Sequence, residues 1–254
     1  MQIAFLIPAL NEALAMPRTA AAARAALDLG VVGSVTVLDG GSTDDTAAIA
    51  RDAGLDVLHV PSVMPELGEV LGKGDSLFRG TRAIDADWYV FLDADLGNVS
   101  VDHIRALTAP IATAAESGVV FVKGGFVRVD EYGQPRSVPG GRVTESVARP
   151  LLRQIAPELA ALSQPLSGQV AIRGDVARSL SFVTGYGVEI AMLIDVRRMH
   201  GAKGIVEADM GEIQNRFKPE AALDLVARDI IAAAVSRGCQ GSPRTVALLP
   251  ERST

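Results

Sequence analysis

Short apolar runs rich in Val, Ile and Leu alternate along the chain with longer stretches in which alanine recurs at helical spacing. The runs at 3–8, Ser34–Asp39, Asp56–His59, 88–93 and 119–123 read as strands. The stretches between them, 12–29, 44–53, 74–84 and 101–117, read as helices. This alternation predicts an α/β fold with a doubly wound, mostly parallel sheet and helices on both faces. Such sheets bind ligands beyond the carboxyl ends of their strands. Three polar turns follow strands there: Pro8-Ala9-Leu10-Asn11-Glu12, Asp39-Gly40-Gly41-Ser42 and Asp93-Ala94-Asp95.

Beyond these units the pattern loosens. Residues 61–72 form a connector containing Pro61 and Pro65. Residues 124–141, dense in glycine, proline and mixed charge, predict a mobile loop able to act as a lid. A helix is expected over 143–162, a strand over 165–173, a helix over 187–199, a last strand over 204–208 and an amphipathic helix over 220–237. The segment 239–254 is polar and reads as a tail.

A chain of 254 residues can bury one substantial core, so a single domain over 1–238 is expected. The composition is 48% hydrophobic with 4% aromatic residues, which suits helices on a parallel sheet better than an aromatic-rich sandwich. A net charge of −6 argues against a broad nucleic-acid footprint, so an anionic ligand must be met by a local site. The single cysteine, Cys239, excludes an intrachain disulfide and fits a reducing cytoplasm. The first apolar run has no basic flank and reads as a strand. No apolar run approaches the roughly 18 residues of a membrane span, so a soluble protein is expected.

Asp93 and Asp95 come directly after the apolar run Trp88-Tyr89-Val90-Phe91-Leu92. Carboxylates one residue apart at a strand end can converge on Mg²⁺ or Mn²⁺, which use few protein carboxylates and complete their shells with water and phosphate oxygens. The same pair can also simply cap a following helix. In Asp39-Gly40-Gly41-Ser42-Thr43-Asp44-Asp45 the glycines admit a ligand close to the backbone, while Ser42 or Thr43 can cap the next helix. Lys73, between Gly72 and Gly74 at a predicted helix start, can hold a phosphate or stand solvated in a flexible turn. Neither a Gly-x-Gly-x-x-Gly after the first strand nor a Walker-type phosphate loop occurs, which argues against dinucleotide oxidoreductases and the common nucleotide triphosphatases.

Taken together, Pro8-Ala9-Leu10-Asn11-Glu12, the Asp39 turn, Gly72-Lys73-Gly74 and Asp93-Ala94-Asp95 resemble the opening motifs of GT-A (Rossmann-like) glycosyltransferases. Gly140-Gly141-Arg142-Val143-Thr144-Glu145, Ala148-Arg149-Pro150-Leu151-Leu152, Gln164-Pro165-Leu166-Ser167-Gly168 and Gly185-Tyr186-Gly187-Val188-Glu189-Ile190 resemble the glucosyl-3-phosphoglycerate synthase family more narrowly. The resemblance runs over about 3–219. It implies a cytoplasmic retaining hexosyltransferase, a homodimer, that moves glucose from UDP-glucose to the 2-hydroxyl of 3-phosphoglycerate. A nucleotide-sugar half over 1–123 and an acceptor half over 124–238 follow from it. It assigns the nucleotide sugar to Pro8, Leu10, Glu12, Asp39, Gly40, Ser42, Lys73, Asp93, Ala94 and Asp95, with Tyr186 and Glu189 lining the sugar pocket. Gly141, Arg142 and Thr144 would hold the acceptor's anionic group, and a glycine turn with one guanidinium is a sound anion site on physical grounds. For catalysis it points to Asp95, the Leu166 carbonyl and Glu189.

The sequence departs from that family at three positions. Asn215 stands where a metal-binding histidine is expected, in Glu212-Ile213-Gln214-Asn215-Arg216-Phe217-Lys218-Pro219. An amide oxygen can ligate Mg²⁺ as a neutral, weaker donor, so the metal set is read as Asp95, Asp93 and Asn215. Gly40 replaces a serine and Gln169 a glutamate. His59, His103 and His200 lie outside every motif and read as structural or surface residues. These departures leave two further readings open: a transferase with another nucleotide sugar or another anionic acceptor, and a non-catalytic sugar-nucleotide-binding protein.

Overall fold

The computed structural model describes residues 1–215 and 220–238; the expected tail over 239–254 and Arg216, Phe217, Lys218 and Pro219 lie outside the described residues. The strands are β1 (Ile3–Ala9), β2 (Ser34–Asp39), β3 (Asp56–His59), β4 (Trp88–Phe91), β5 (Phe121–Val129), β6 (Val170–Arg173) and β7 (Ile205–Gln214). The helices are α1 (Met16–Asp28), α2 (Thr46–Asp52), α3 (Lys73–Ala83), α4 (Val101–Thr108), α5 (Ala114–Ser117), α6 (Arg149–Ile155), α7 (Pro157–Ala160), α8 (Gly174–Ser179), α9 (Val188–His200) and α10 (Glu220–Ser236).

The strands form one sheet in the order β3-β2-β1-β4-β6-β5-β7. All pairings are parallel except those of β6, which runs antiparallel to both β4 and β5. Alternate residues of β1 explain its unbroken hydrophobicity. Ala4 and Leu6 face a core with α3 and α6–α10, while Phe5 and Ile7 face one with α1, α2 and α4. Ala20, Ala23 and Ala26 are buried on α1, and their small side chains let that helix lie close on the sheet.

Two features of this topology place a site. β1 pairs with β2 on one side and β4 on the other, so the turns after all three strands meet at one edge. β6 is reversed, with Val170 opposite both Phe91 and Lys123. The turn that leads into β6 therefore arrives at the same edge.

The glycine-rich segment differs from the sequence expectation. Its first part continues β5 to Val129, so no lid forms over 124–129. A Cβ on Gly124 would collide with Gln169 and Met210, and one on Gly125 with Ser163 and Glu207. These glycines serve close packing and not mobility. The single helix expected over 143–162 is broken: a π-turn over Thr144–Ala148 leads into α6, and Ala156, non-helical (φ −158°, ψ 77°) before Pro157, separates α6 from α7. The helix expected over 101–117 is likewise interrupted, by a 3₁₀ segment at Ala109–Thr113 that contains Pro110.

The 61–72 connector is held by one buried residue. Arg79 of α3 is fully buried; it pairs with Asp75 and donates to the carbonyls of Val63 (2.9 Å) and Gly68 (3.0 Å). Removing the guanidinium strands those acceptors and the Asp75 carboxylate. Arg79→Met is expected to cost about 3–5 kcal/mol, read as a lower urea midpoint. An unchanged midpoint would show that the connector does not depend on Arg79.

Candidate functional site

A cleft of about 860 Å³ opens along the carboxyl edge of the sheet. Its floor is a charged cluster drawn from four elements. Lys73, the first residue of α3, pairs with Asp93 Oδ1 beyond β4 and with Glu189 Oε1 (2.6 Å) in the first turn of α9. Gln169, just before β6, donates to Asp93 Oδ2 at 3.2 Å. Burial alone would favour a neutral Lys73, but Asp93 and Glu189 outweigh it and raise the ammonium pKa above its ordinary value. Gly168 caps the cluster, where a Cβ would clash with Lys73 Nζ and both Asp93 oxygens. Only glycine lets the 164–169 turn close down so far.

That turn is pinned from below by Lys123, a fully buried residue of β5. Its Nζ donates to the Ser167 carbonyl at 2.6 Å, and Ser167 Oγ donates to the Gly124 carbonyl at 2.8 Å. Burial pushes the Lys123 pKa down to about 7, against the pull of Glu189 and with the help of the Lys73 charge.

One end of the cleft is built from the turns after β1 and β2. Asn11 adopts positive φ (55°), which Asn tolerates, and its side chain accepts the Thr43 N–H at 2.8 Å. Ser42 Oγ in turn accepts the Asn11 N–H at 3.0 Å, and Asp39 Oδ1 the Ser42 N–H at 3.0 Å. Pro8, Leu10, Glu12 and Gly40 line the cleft. Asp39 and Ser42 do not; they brace the turns that do. Leu10 is 54% exposed there and offers an apolar face to a flat ligand.

The opposite end is cationic. Gly141, at φ 86°, and Arg142 lead into the π-turn whose first residue is Thr144, and all three line the cleft. Arg128 and Arg136 line it too. The sequence reading missed both because they lie in the segment taken for a mobile loop. It missed Lys123 as well, although a charge closing the apolar run Val119-Val120-Phe121-Val122 was the available signal. Leu166 and Tyr186 also line it.

For a divalent ion the donor set is oxygen. Both Asp93 oxygens are engaged by Lys73 and Gln169, which makes Asp93 the counter-ion of Lys73 and moves the metal expectation onto Asp95. Leu96, next to Asp95, forms an antiparallel bridge with Asn215, and Gly97 N–H donates to the Gln214 carbonyl at 2.7 Å. Asn215 Oδ1 is buried beside the cleft without a hydrogen-bond partner, an acceptor that a hard cation can satisfy. Among the described residues no group of three or more His, Cys, Asp or Glu side chains converges. The histidines stand apart: His103 caps α4 through Ser100, His59 lies 3.3 Å from Asp39, and His200 ends α9.

The chain matches the family model for glycosyl transferase family 2 over residues 4–137. It is 37% identical over 239 residues to glucosyl-3-phosphoglycerate synthase of Mycobacterium tuberculosis (strain H37Rv), covering 92% of this chain and 73% of that protein. It is 35% identical over 214 residues to the Petrotoga mobilis glucosyl-3-phosphoglycerate synthase, covering 83% and 65%. The solved structure of the M. tuberculosis enzyme with Mn²⁺, UDP and glucosyl-3-phosphoglycerate superimposes with a TM-score of 0.83 at 37% identity, over 93% of this chain and 79% of that one. The same enzyme with Mn²⁺, UDP-glucose and phosphoglyceric acid gives 0.82 at 36% identity, over 94% and 79%.

The depressed pKa of Lys123 has a thermodynamic consequence. The unfolded lysine binds its proton up to its ordinary pKa of 10.5, whereas the folded one releases it near 7. Between these values the unfolded state holds more protons, so the lysine's contribution to stability grows as pH rises through that window and is lost as pH falls. The stability of wild type relative to Lys123→Met should therefore increase from pH 7 to pH 10 in urea titrations. A difference independent of pH would contradict the buried, neutral lysine.

Proposed function

The chain belongs to glycosyl transferase family 2 and, within it, to the glucosyl-3-phosphoglycerate synthases, and on that footing we propose that it transfers glucose from UDP-glucose to the 2-hydroxyl of 3-phosphoglycerate with retention at the anomeric carbon. One observation carries this reading. A charge-balanced polar floor, Lys73 with Asp93, Glu189 and Gln169, lies between a nucleotide-sized apolar end and a cationic end of one cleft.

The roles follow from the chemistry of each part. Pro8, Leu10, Glu12 and Gly40 hold the nucleotide, with Asp39 and Ser42 fixing the turn behind them. Asp93, Glu189 and Tyr186 take the sugar hydroxyls, for which ionised carboxylates are strong acceptors. Asp95 and Asn215 would hold Mg²⁺ or Mn²⁺, which would supply positive charge beside the diphosphate. The relatives' structures contain Mn²⁺ or Mg²⁺ together with UDP. Gly141, Arg142 and Thr144 orient the acceptor so that its hydroxyl meets the anomeric carbon on the face the diphosphate leaves. The leaving phosphate oxygen takes the hydroxyl proton, and the Leu166 carbonyl lies against the positive charge that develops on the sugar. Glu189 is held by the Lys73 ammonium at 2.6 Å, which lowers its nucleophilicity and supports a route without a glycosyl–enzyme bond. The family resemblance supports a homodimer, and the lone Cys239 supports action in the cytoplasm. Among the described residues no helix is long and apolar enough to cross a membrane.

A panel of UDP- and GDP-sugars against 3-phosphoglycerate, glycerate and sugar acceptors, with products assigned by NMR, tests this. The expected outcome is an α-glucosyl product from UDP-glucose and 3-phosphoglycerate, lost with EDTA and restored by Mg²⁺. No consumption of any nucleotide sugar with any phosphorylated acceptor would overturn the reading.

A further inference from the structure

The cationic end of the cleft holds more positive charge than its glycine turn requires. Arg128 lies near the end of β5. The chain then turns back, with Val129 bridged to Pro135 and the Arg136 N–H donating to the Arg128 carbonyl at 2.8 Å, so the two arginines stand side by side. Each has a buried Nε without a hydrogen-bond partner. The Arg128 pKa is lowered, by burial first and by the Arg136 charge second. The neighbouring carboxylate, Asp130, is committed to its own turn, accepting the Tyr132 and Gln134 N–H groups at 2.9 Å each. Arg136 Nη2 donates a long hydrogen bond to the Asn215 carbonyl at 3.4 Å. A Cβ on Gly141 would sit 3.5 Å from Arg128 Cζ, so this glycine lets the acceptor turn lie against the guanidinium. Two adjacent, partly desolvated like charges with unmet donors are unfavourable until an anion joins them.

We propose that Arg128 and Arg136 form a second anion subsite, beside the Gly141–Arg142 turn, which selects acceptors bearing two separated anionic groups. This rests on the transferase reading and adds two specificity-determining residues to it, for an acceptor that carries both a carboxylate and a phosphoryl group. The turn with Arg142 holds one group and the arginine pair the other. Paired guanidinium forks match a carboxylate or phosphoryl group in a way that lysine would not. The subsite also accounts for a cationic end on a chain whose net charge is −6.

The test compares wild type with Arg136→Ala and Arg136→Lys as full-length protein, using 3-phosphoglycerate, glycerate and glycerol 3-phosphate. Calorimetric acceptor binding in the presence of UDP and Mg²⁺ is read beside kinetics and ligand-free melting. Arg136→Ala is expected to weaken 3-phosphoglycerate binding and raise its KM by roughly tenfold to a hundredfold, with kcat and UDP-glucose affinity little changed. The penalty should vanish with whichever single-anion acceptor lacks the group that the pair holds, and Arg136→Lys should rescue only partly. Without ligand, Arg136→Ala should melt no lower than wild type, because a like-charge contact has been removed. An equal penalty with all three acceptors, no penalty with any, or a destabilised ligand-free protein would overturn the proposal. If wild type neither binds nor glucosylates 3-phosphoglycerate, the transferase reading itself has failed.

Discussion

The Lys73 ammonium, buried between the carboxylates of Asp93 and Glu189, is the contact on which the site depends. It ties the start of α3 to the end of β4 and the first turn of α9, three elements far apart in sequence. The ammonium offsets the repulsion between two carboxylates drawn together at the cleft floor, while taking all three groups out of bulk water uses up much of that gain. The ion cluster is therefore poor as a source of stability and effective as a device for fixing geometry. It fixes two carboxylates at the floor of a cleft. Gln169 belongs to the same balance. A glutamate there, as in the family it resembles, would set a third carboxylate against Asp93, whereas the amide donates to it.

The rest of the cleft is arranged around this floor by topology. The parallel strands β2, β1 and β4 deliver the turns after them, Asp93 included, to one edge. The reversed strand β6 brings the Leu166–Gln169 turn to the same edge, and Lys123 of β5 anchors that turn from beneath. Gly168 allows the turn to close onto Lys73 and Asp93. Beyond it, Arg128 and Arg136 stand beside the Arg142 turn. One edge of the sheet thus presents an apolar wall, a neutralised floor and a cationic end along one cleft.

Much of this was legible in the amino-acid sequence. Runs buried on both faces, such as 3–8, announce strands of a parallel sheet, and the turns after them are where ligands bind. Asp93, Lys73 and Glu189 each stood out in a motif, although nothing in their spacing showed that they share one contact. What misled was glycine. Gly124 and Gly125 read as loop formers, yet they sit within β5 because side chains from neighbouring strands occupy the space of a Cβ. With that segment taken for a lid, Arg128 and Arg136 were overlooked. Lys123 was hidden for the opposite reason, since a lysine ending an apolar run looks like a strand terminus at the surface and is in fact fully buried. Such tertiary proximities leave no trace in local periodicity.

The proposed chemistry requires nucleotide, metal and acceptor to meet over one charged floor. A crystal structure of the protein grown with UDP, Mg²⁺ and 3-phosphoglycerate tests this directly. The nucleotide is expected against Pro8–Glu12 and Gly40, the ion on Asp95 and Asn215, and the acceptor between Arg142 and the Arg128–Arg136 pair. A nucleotide bound elsewhere, or an acceptor remote from these arginines, would contradict it.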